Sequence, residues 1–160
     1  MGKLLAKSVS RCSALAFIAA VILNLAGNVE ISAQRLPTVA QTNAMLRQTI
    51  LDFAEALDTE SFEEFHAKAS EDFQATFTPE NLLTIFQSFI DKKDLVLPTL
   101  RTIKGKRAHF TKGPLIRTEN KYKILVANGS FATTPYRTDY EMEYIWTGKE
   151  WKLLAVKVSL

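Results

Sequence analysis

One cysteine, Cys12, stands in the 160 residues, and it lies upstream of everything that reads as a folded domain. The domain therefore has no disulfide to lean on, and a hydrophobic core must hold it together. Cys12 follows Arg11 rather than the small apolar residues that precede a lipid-bearing cysteine, which argues against lipidation. Histidine is equally scarce, with only His66 and His109, and no His-x-His or Cys-x-x-Cys spacing occurs. A metal site is not expected on that basis. Glycine-rich phosphate loops and Gly-x-Ser-x-Gly elbows are missing too, so neither a nucleotide cofactor nor a hydrolase nucleophile is indicated. Internal repeats and low-complexity tracts are also lacking.

The one long apolar run is Ser13 to Ala26 (SALAFIAAVILNLA), interrupted by Asn24. Lys3, Lys7 and Arg11 precede it, and Ile31-Ser32-Ala33 follows with a small residue at a cleavage position. Residues 1–33 read as a signal peptide cut near Ala33, which implies a periplasmic or extracellular protein. The alternative is an anchor that is not cleaved. Without those residues the chain has seventeen basic and sixteen acidic groups, so net charge is close to zero and nucleic acid is not an expected partner. The roughly 127 residues left suffice to bury about two-thirds of their unfolded surface.

Residues 34–38 read as a linker and 39–160 as a single domain. From Val39, Leu46, Ile50, Phe53, Ala54 and Leu57 recur at three- and four-residue steps, which predicts a helix ending at Asp58-Thr59. Ser61 with Glu64 has capping-box spacing and predicts a short second helix bearing Phe62, Phe65 and Ala69. Thr78-Pro79-Glu80 opens a third, with Leu82, Leu83, Ile85, Phe86, Phe89 and Ile90 on its apolar face and its end at Asp91–Asp94. Residues 96–105, β-branched and containing Pro98, predict an edge strand. Residues 106–120 read as a strand piece broken at Gly113-Pro114. Tyr122–Phe131, Tyr136–Trp146 and Trp151–Leu160 read as strands, with a bulge at Asn128-Gly129 and a turn at Pro135.

The closing hairpin sets Tyr140 opposite Val158, Met142 opposite Val156 and Tyr144 opposite Leu154 on one face. Glu141 meets Lys157 and Ile145 meets Leu153 on the other. A slip of one residue would move every side chain to the wrong face. The last strand, apolar nearly throughout, is expected inside the sheet. Helices followed by antiparallel strands predict an α+β fold, three helices packed on one face of a strongly curved sheet of about four strands.

Three stretches, FEEFHAKASEDFQATFTPENLLTIFQSF, ILVANGSFATTPYRTDYEMEYIW and KEWKLLAVKV, resemble the nuclear-transport-factor-2-like superfamily, a cystatin-like cone of curved sheet around a helix. They look closest to its small exported bacterial members of unknown function. Gly129, Phe131, Thr133 and Pro135, then Trp151, Lys152 and Leu153, match a "G-x-Y/F-x-T-x-P … W-K-L" ending. The resemblance spans about residues 40–160. It implies a fold more than a function, because the superfamily holds isomerases, dehydratases, transport factors and plain binding modules.

Enzymes of that superfamily place Asp, Tyr or His inside the cone, which makes Tyr122, Tyr136, Asp139, Tyr140 and Tyr144 candidates. Alternation puts Tyr140, Met142, Tyr144 and Trp146 on one face, and with Tyr122 these are the expected ligand-binding residues. Asp139 falls with Glu141 and Glu143 on the other face, so no inward carboxylate base is assigned and no catalytic residue is named. Charge is uneven: residues 52–94 carry net −8 and residues 101–123 net +7. Arg101, Lys104, Lys106 and Arg107 form a strip able to meet an anionic surface, or simply a solvated strand edge. The expected function is non-catalytic binding of a small apolar ligand or a protein partner, with no cofactor. The alternatives are an isomerase or dehydratase using cone-lining Tyr or His, and a homodimerisation module working through the open sheet face.

Overall fold

The first helix begins where its backbone amides find partners. Thr38 Oγ1 accepts from the Gln41 amide at 3.2 Å, and Gln41 Oε1 accepts from the Thr38 amide at 2.8 Å, a closed capping box. This computed structural model describes residues 36–160; the expected signal peptide, its cleavage point and residues 34–35 of the linker lie outside the described residues. Helix α1, Val39–Thr59, buries the predicted stripe of Leu46, Ile50, Phe53, Ala54 and Leu57. It stops at Glu60, whose φ of 52° is left-handed.

The helical half is more broken than the sequence suggests. Ser61 does not cap: its amide donates back to Ala56 at the end of α1, and α2 (Glu63–Lys68) starts after the buried Phe62. A separate helix α3 (Glu71–Thr76) follows, capped by Ser70, whose Oγ accepts from the Phe73 amide at 3.2 Å. Thr78 caps α4 (Pro79–Ile85) with Pro79 in its first turn, as read. The expected continuation is cut at Phe86, and α5 covers Gln87–Ile90.

Residues 96–105 are not an edge strand. Lys93–Arg101 forms helix α6, which buries Val96, Leu97 and Leu100, with Ile103 buried just beyond it. Those four positions fall at helical spacing, and packing against α1 outweighs the β-branched composition. Pro98 sits on the exposed side, and Asp94, whose carbonyl it leaves without its helical donor, is exposed as well.

Five antiparallel strands follow: β1 (Ala108–Phe110), β2 (Leu115–Glu119), β3 (Tyr122–Phe131), β4 (Thr138–Trp146) and β5 (Trp151–Ser159). β1 and β2 both pair with one side of β3, then β4 and β5 follow, giving a curled sheet with two open edges. The architecture is α+β, with helices packed on the sheet face that carries Leu125, Ala127, Phe131, Tyr140, Met142 and Tyr144.

The bulge expected at Asn128-Gly129 is not in β3. Pairing with β4 runs unbroken through Asn128↔Glu141 and Gly129↔Tyr140. The extra residues belong to the neighbouring edge: pairing passes from Phe110↔Gly129 to Leu115↔Val126, so Thr111–Pro114 loops out opposite Ala127 and Asn128. The Gly113-Pro114 break is therefore real, and its effect falls on the edge.

The closing hairpin keeps the expected register from Tyr140↔Val158 to Glu143↔Ala155 and then shifts by one. Tyr144 faces Leu153 and Ile145 faces Lys152, leaving Leu154 as the extra residue. The four-residue turn Thr147–Glu150, with Gly148 at φ 91°, sets the tighter register near the tip, and the bulge restores the wider one beyond it. Leu153 and Val158 still reach the core, and Trp151 and Val156 pack against it. β5 is an edge strand rather than an interior one; burial of Leu153 and Val158 against the helical side explains its apolar run. The Ser70 amide closes part of that edge by donating to the Leu153 carbonyl at 2.9 Å.

Candidate functional site

β4 places Tyr140, Met142 and Tyr144 at every second position on the helix-facing side, and all three are buried. Trp146 follows in the same row, half-buried, with its ring 5.5 Å from that of Trp151 across the hairpin. Four of the five expected ligand residues thus share a face. Tyr122 does not join them: it is 56% exposed and falls on the opposite face by strand alternation. The inner members of the row are core. Met142 and Tyr140 pack within the cluster built on Leu46, Ile50 and Phe53.

Tyr140 and Trp146 border surface depressions of about 540 and 650 Å³, and the Tyr144 end of the row opens between helix and strand. A cleft of about 190 Å³ lies between α1 and the start of β5, floored by Met45, Phe65, Tyr144, Trp151 and Leu153. Thr49 stands at its wall, with Oγ1 2.8 Å from the Tyr144 hydroxyl. That hydroxyl donates to Met142 Sδ at 3.3 Å, so Thr49 is the donor to Tyr144. On the rim, Asp52 accepts from Gln48 Nε2 at 2.9 Å and Lys68 Nζ at 3.1 Å. The cleft therefore has an apolar floor and a polar rim whose groups already have partners. Burial holds the Tyr144 hydroxyl well above the ordinary tyrosine value, while the Thr49 hydrogen bond pulls it slightly back. A phenol held neutral in this way is a poor proton acceptor.

The sequence reading does not place Met45, Thr49, Asp52, Phe65 or Lys68 in a site. A signal was present, since Met45, Thr49 and Asp52 follow one another at helical spacing along the edge of the α1 apolar stripe. Glu63 and His66 also carry a Glu-x-x-His spacing, which the sequence reading takes to be absent. His66 Nε2 donates to the Phe77 carbonyl at 2.8 Å, tying α2 to the end of α3. Among the described residues no group of three or more His, Cys, Asp or Glu side chains is placed to hold a metal ion.

Asp139 lies on the outer face with Glu141 and Glu143, as alternation requires, and pairs with Arg137 at 2.9 Å. Glu141 meets Lys157 at 2.6 Å, the expected pair. Tyr136 is 49% exposed, and its carbonyl accepts from Thr133 Oγ1 at 2.6 Å in the turn before β4. In the basic strip Arg101 pairs with Asp58, while Lys104 and Arg107 stay exposed on the turn leading into β1. The Lys106 carbonyl accepts from Arg47 at 3.0 Å. Two of the four strip residues thus have structural work on their side chain or backbone.

No family model matches the chain, and neither a curated protein nor a solved structure matches it.

Proposed function

We propose that this chain is an exported, non-catalytic binding domain of nuclear-transport-factor-2-like type, which takes up one apolar side chain of a partner polypeptide in the cleft between α1 and β5. The carrying observation is the cleft itself, with an apolar floor of Tyr144, Trp151, Leu153, Phe65 and Met45. Its volume of about 190 Å³ lies below the roughly 300–1,000 Å³ typical of small-molecule sites, which favours a single inserted side chain over a whole ligand. The engaged state of Tyr144, Asp52 and Lys68 fits binding better than proton transfer. Export rests on the basic and apolar pattern of residues 1–33.

The test is a chemical-shift titration of the purified protein with toluene and with phenol as ring-sized probes. Shifts concentrated at Thr49, Phe65, Tyr144 and Leu153, and lost in Trp151→Ala, are expected. Shifts scattered elsewhere, or none, would remove the cleft as the site.

A further inference from the structure

The cleft between α1 and β5 is the middle of a longer furrow. On one side a depression of about 330 Å³ shares Asp52, Phe65 and Lys68 with it and continues along α1 and α2 past Glu55, Glu63 and Glu64. On the other side a depression of about 650 Å³ shares Ala69 and Lys152 with it. That one passes Glu71 and Asp72 at the start of α3 and the hairpin tip at Lys149 and Glu150. The apolar floor of the cleft is thus flanked by carboxylates in both directions.

Seven carboxylates and three lysines line the furrow. Lys68 lies 3.1 Å from Asp52 and 4.0 Å from Glu64, and Lys152 lies 3.6 Å from Glu150. Glu55, Glu63, Glu71 and Asp72 are exposed and have no ion-pair partner among the described residues. Glu63, Glu71 and Asp72 stand in the first turns of α2 and α3, where the helix dipole favours a carboxylate. Glu55, in the C-terminal half of α1, gains nothing of that kind. Unpaired carboxylates from three helices on one concave surface give it a negative potential. An apolar seat between two acidic walls complements an apolar side chain flanked by cations.

We infer that the segment bound along this furrow is a cationic stretch of a partner polypeptide, with one apolar side chain in the cleft and Lys or Arg on either side of it, facing Glu55 and Glu63 in one direction and Glu71 and Asp72 in the other. This rests on the cleft reading of the proposed function and names the chemistry of its partner. The apolar side chain supplies the anchor. The charges select the partner, fix its direction and make the association salt-sensitive.

Chemical-shift titration with three synthetic peptides tests it: Lys-Lys-Gly-Phe-Gly-Lys-Lys, the same peptide with Glu for every Lys, and the same peptide with Ser for Phe. The first is expected to bind, with shifts at Thr49, Phe65 and Leu153 and at Glu55 and Glu63. Its affinity should fall about tenfold between about 0.1 M and 1 M salt, as the screening length drops from about 10 Å to 3 Å. The double variant Glu55→Lys, Glu63→Lys should weaken it about tenfold as well; both residues are exposed, so the variant keeps the fold. The Glu peptide should not bind, and the Ser peptide should bind about tenfold more weakly. Equal binding of the Lys and Glu peptides, or affinity indifferent to salt and to the charge reversal, overturns the inference and leaves the cleft reading standing. A Ser peptide that binds as tightly as the Phe peptide overturns both. If no peptide binds, the inference fails, and the toluene and phenol shifts decide whether the cleft reading survives it.

Discussion

The Tyr140 hydroxyl lies 2.8 Å from where a β-carbon on Gly129 would stand, directly across the β3–β4 pair. The same β-carbon would collide with the carbonyl of His109 on β1. Gly129 is thus required for close backbone approach. Gly129→Ala should cost about 3 kcal/mol or more, at the upper end of overpacking effects, because backbone cannot step aside as a side-chain end can. Urea unfolding measures this. Tyr140→Phe should be neutral or stabilising, since the buried hydroxyl has no hydrogen-bond partner among the described residues.

Burial raises both Tyr140 and Tyr144 above their ordinary value near 10. Below that value both states carry neutral phenols, and the contribution of these residues to stability is complete. As pH rises past it the unfolded chain ionises first, so stability falls by about 1.4 kcal/mol per pH unit for each tyrosine until the folded hydroxyls ionise. Unfolding curves at several pH values above 9 should show this decline, and the double variant Tyr140→Phe, Tyr144→Phe should show a shallower one.

Asn43 bridges the two halves of the fold. Its Oδ1 accepts from the Ala108 amide at 2.6 Å, and its Nδ2 donates to the Val39 carbonyl at 2.8 Å. Asn43→Leu leaves the Ala108 amide without its acceptor and should cost about 1–3 kcal/mol. Amide exchange should quicken at β1 before it does at β4.

In the cleft, Tyr144→Phe removes the acceptor of Thr49 but keeps the ring. A loss of about 1 kcal/mol in stability is expected. Probe shifts at Phe65 and Leu153 should persist, because the hydroxyl is turned to Thr49 and Met142 rather than into open space.

Local chemistry made α1, the Thr78-Pro79 helix start, β3 and most of the last hairpin legible. Apolar period, caps and the Glu141–Lys157 pair all agree there. Residues 96–105 mislead because Val96, Thr99, Thr102 and Ile103 favour a strand by composition and Pro98 disfavours a helix interior, while burial follows helical spacing. Asn128-Gly129 reads as a bulge because glycine often marks one; here Gly129 marks close approach, and the extra residues lie one strand over. The β4 row was readable by alternation, but alternation does not say which end of a buried row opens. That depends on Thr49 and Phe65, brought in from helices distant in sequence. The ending Gly129, Phe131, Thr133, Pro135 serves the fold: Phe131 is fully buried 5.2 Å from the Tyr140 ring, and Thr133 bonds Thr138 at 2.7 Å.

The looped residues Thr111–Pro114 also decide how safely this sheet can meet other sheets. Edge-on growth of fibrils needs a straight row of free backbone groups, and a long flat edge supplies one. Here the β1–β2 edge is cut into pieces of three and five residues that do not share a register. A strand arriving at that edge can lengthen along neither piece far enough to hold. The interruption, with Lys112 inside it, denies that edge the straight row of backbone groups that templated growth needs.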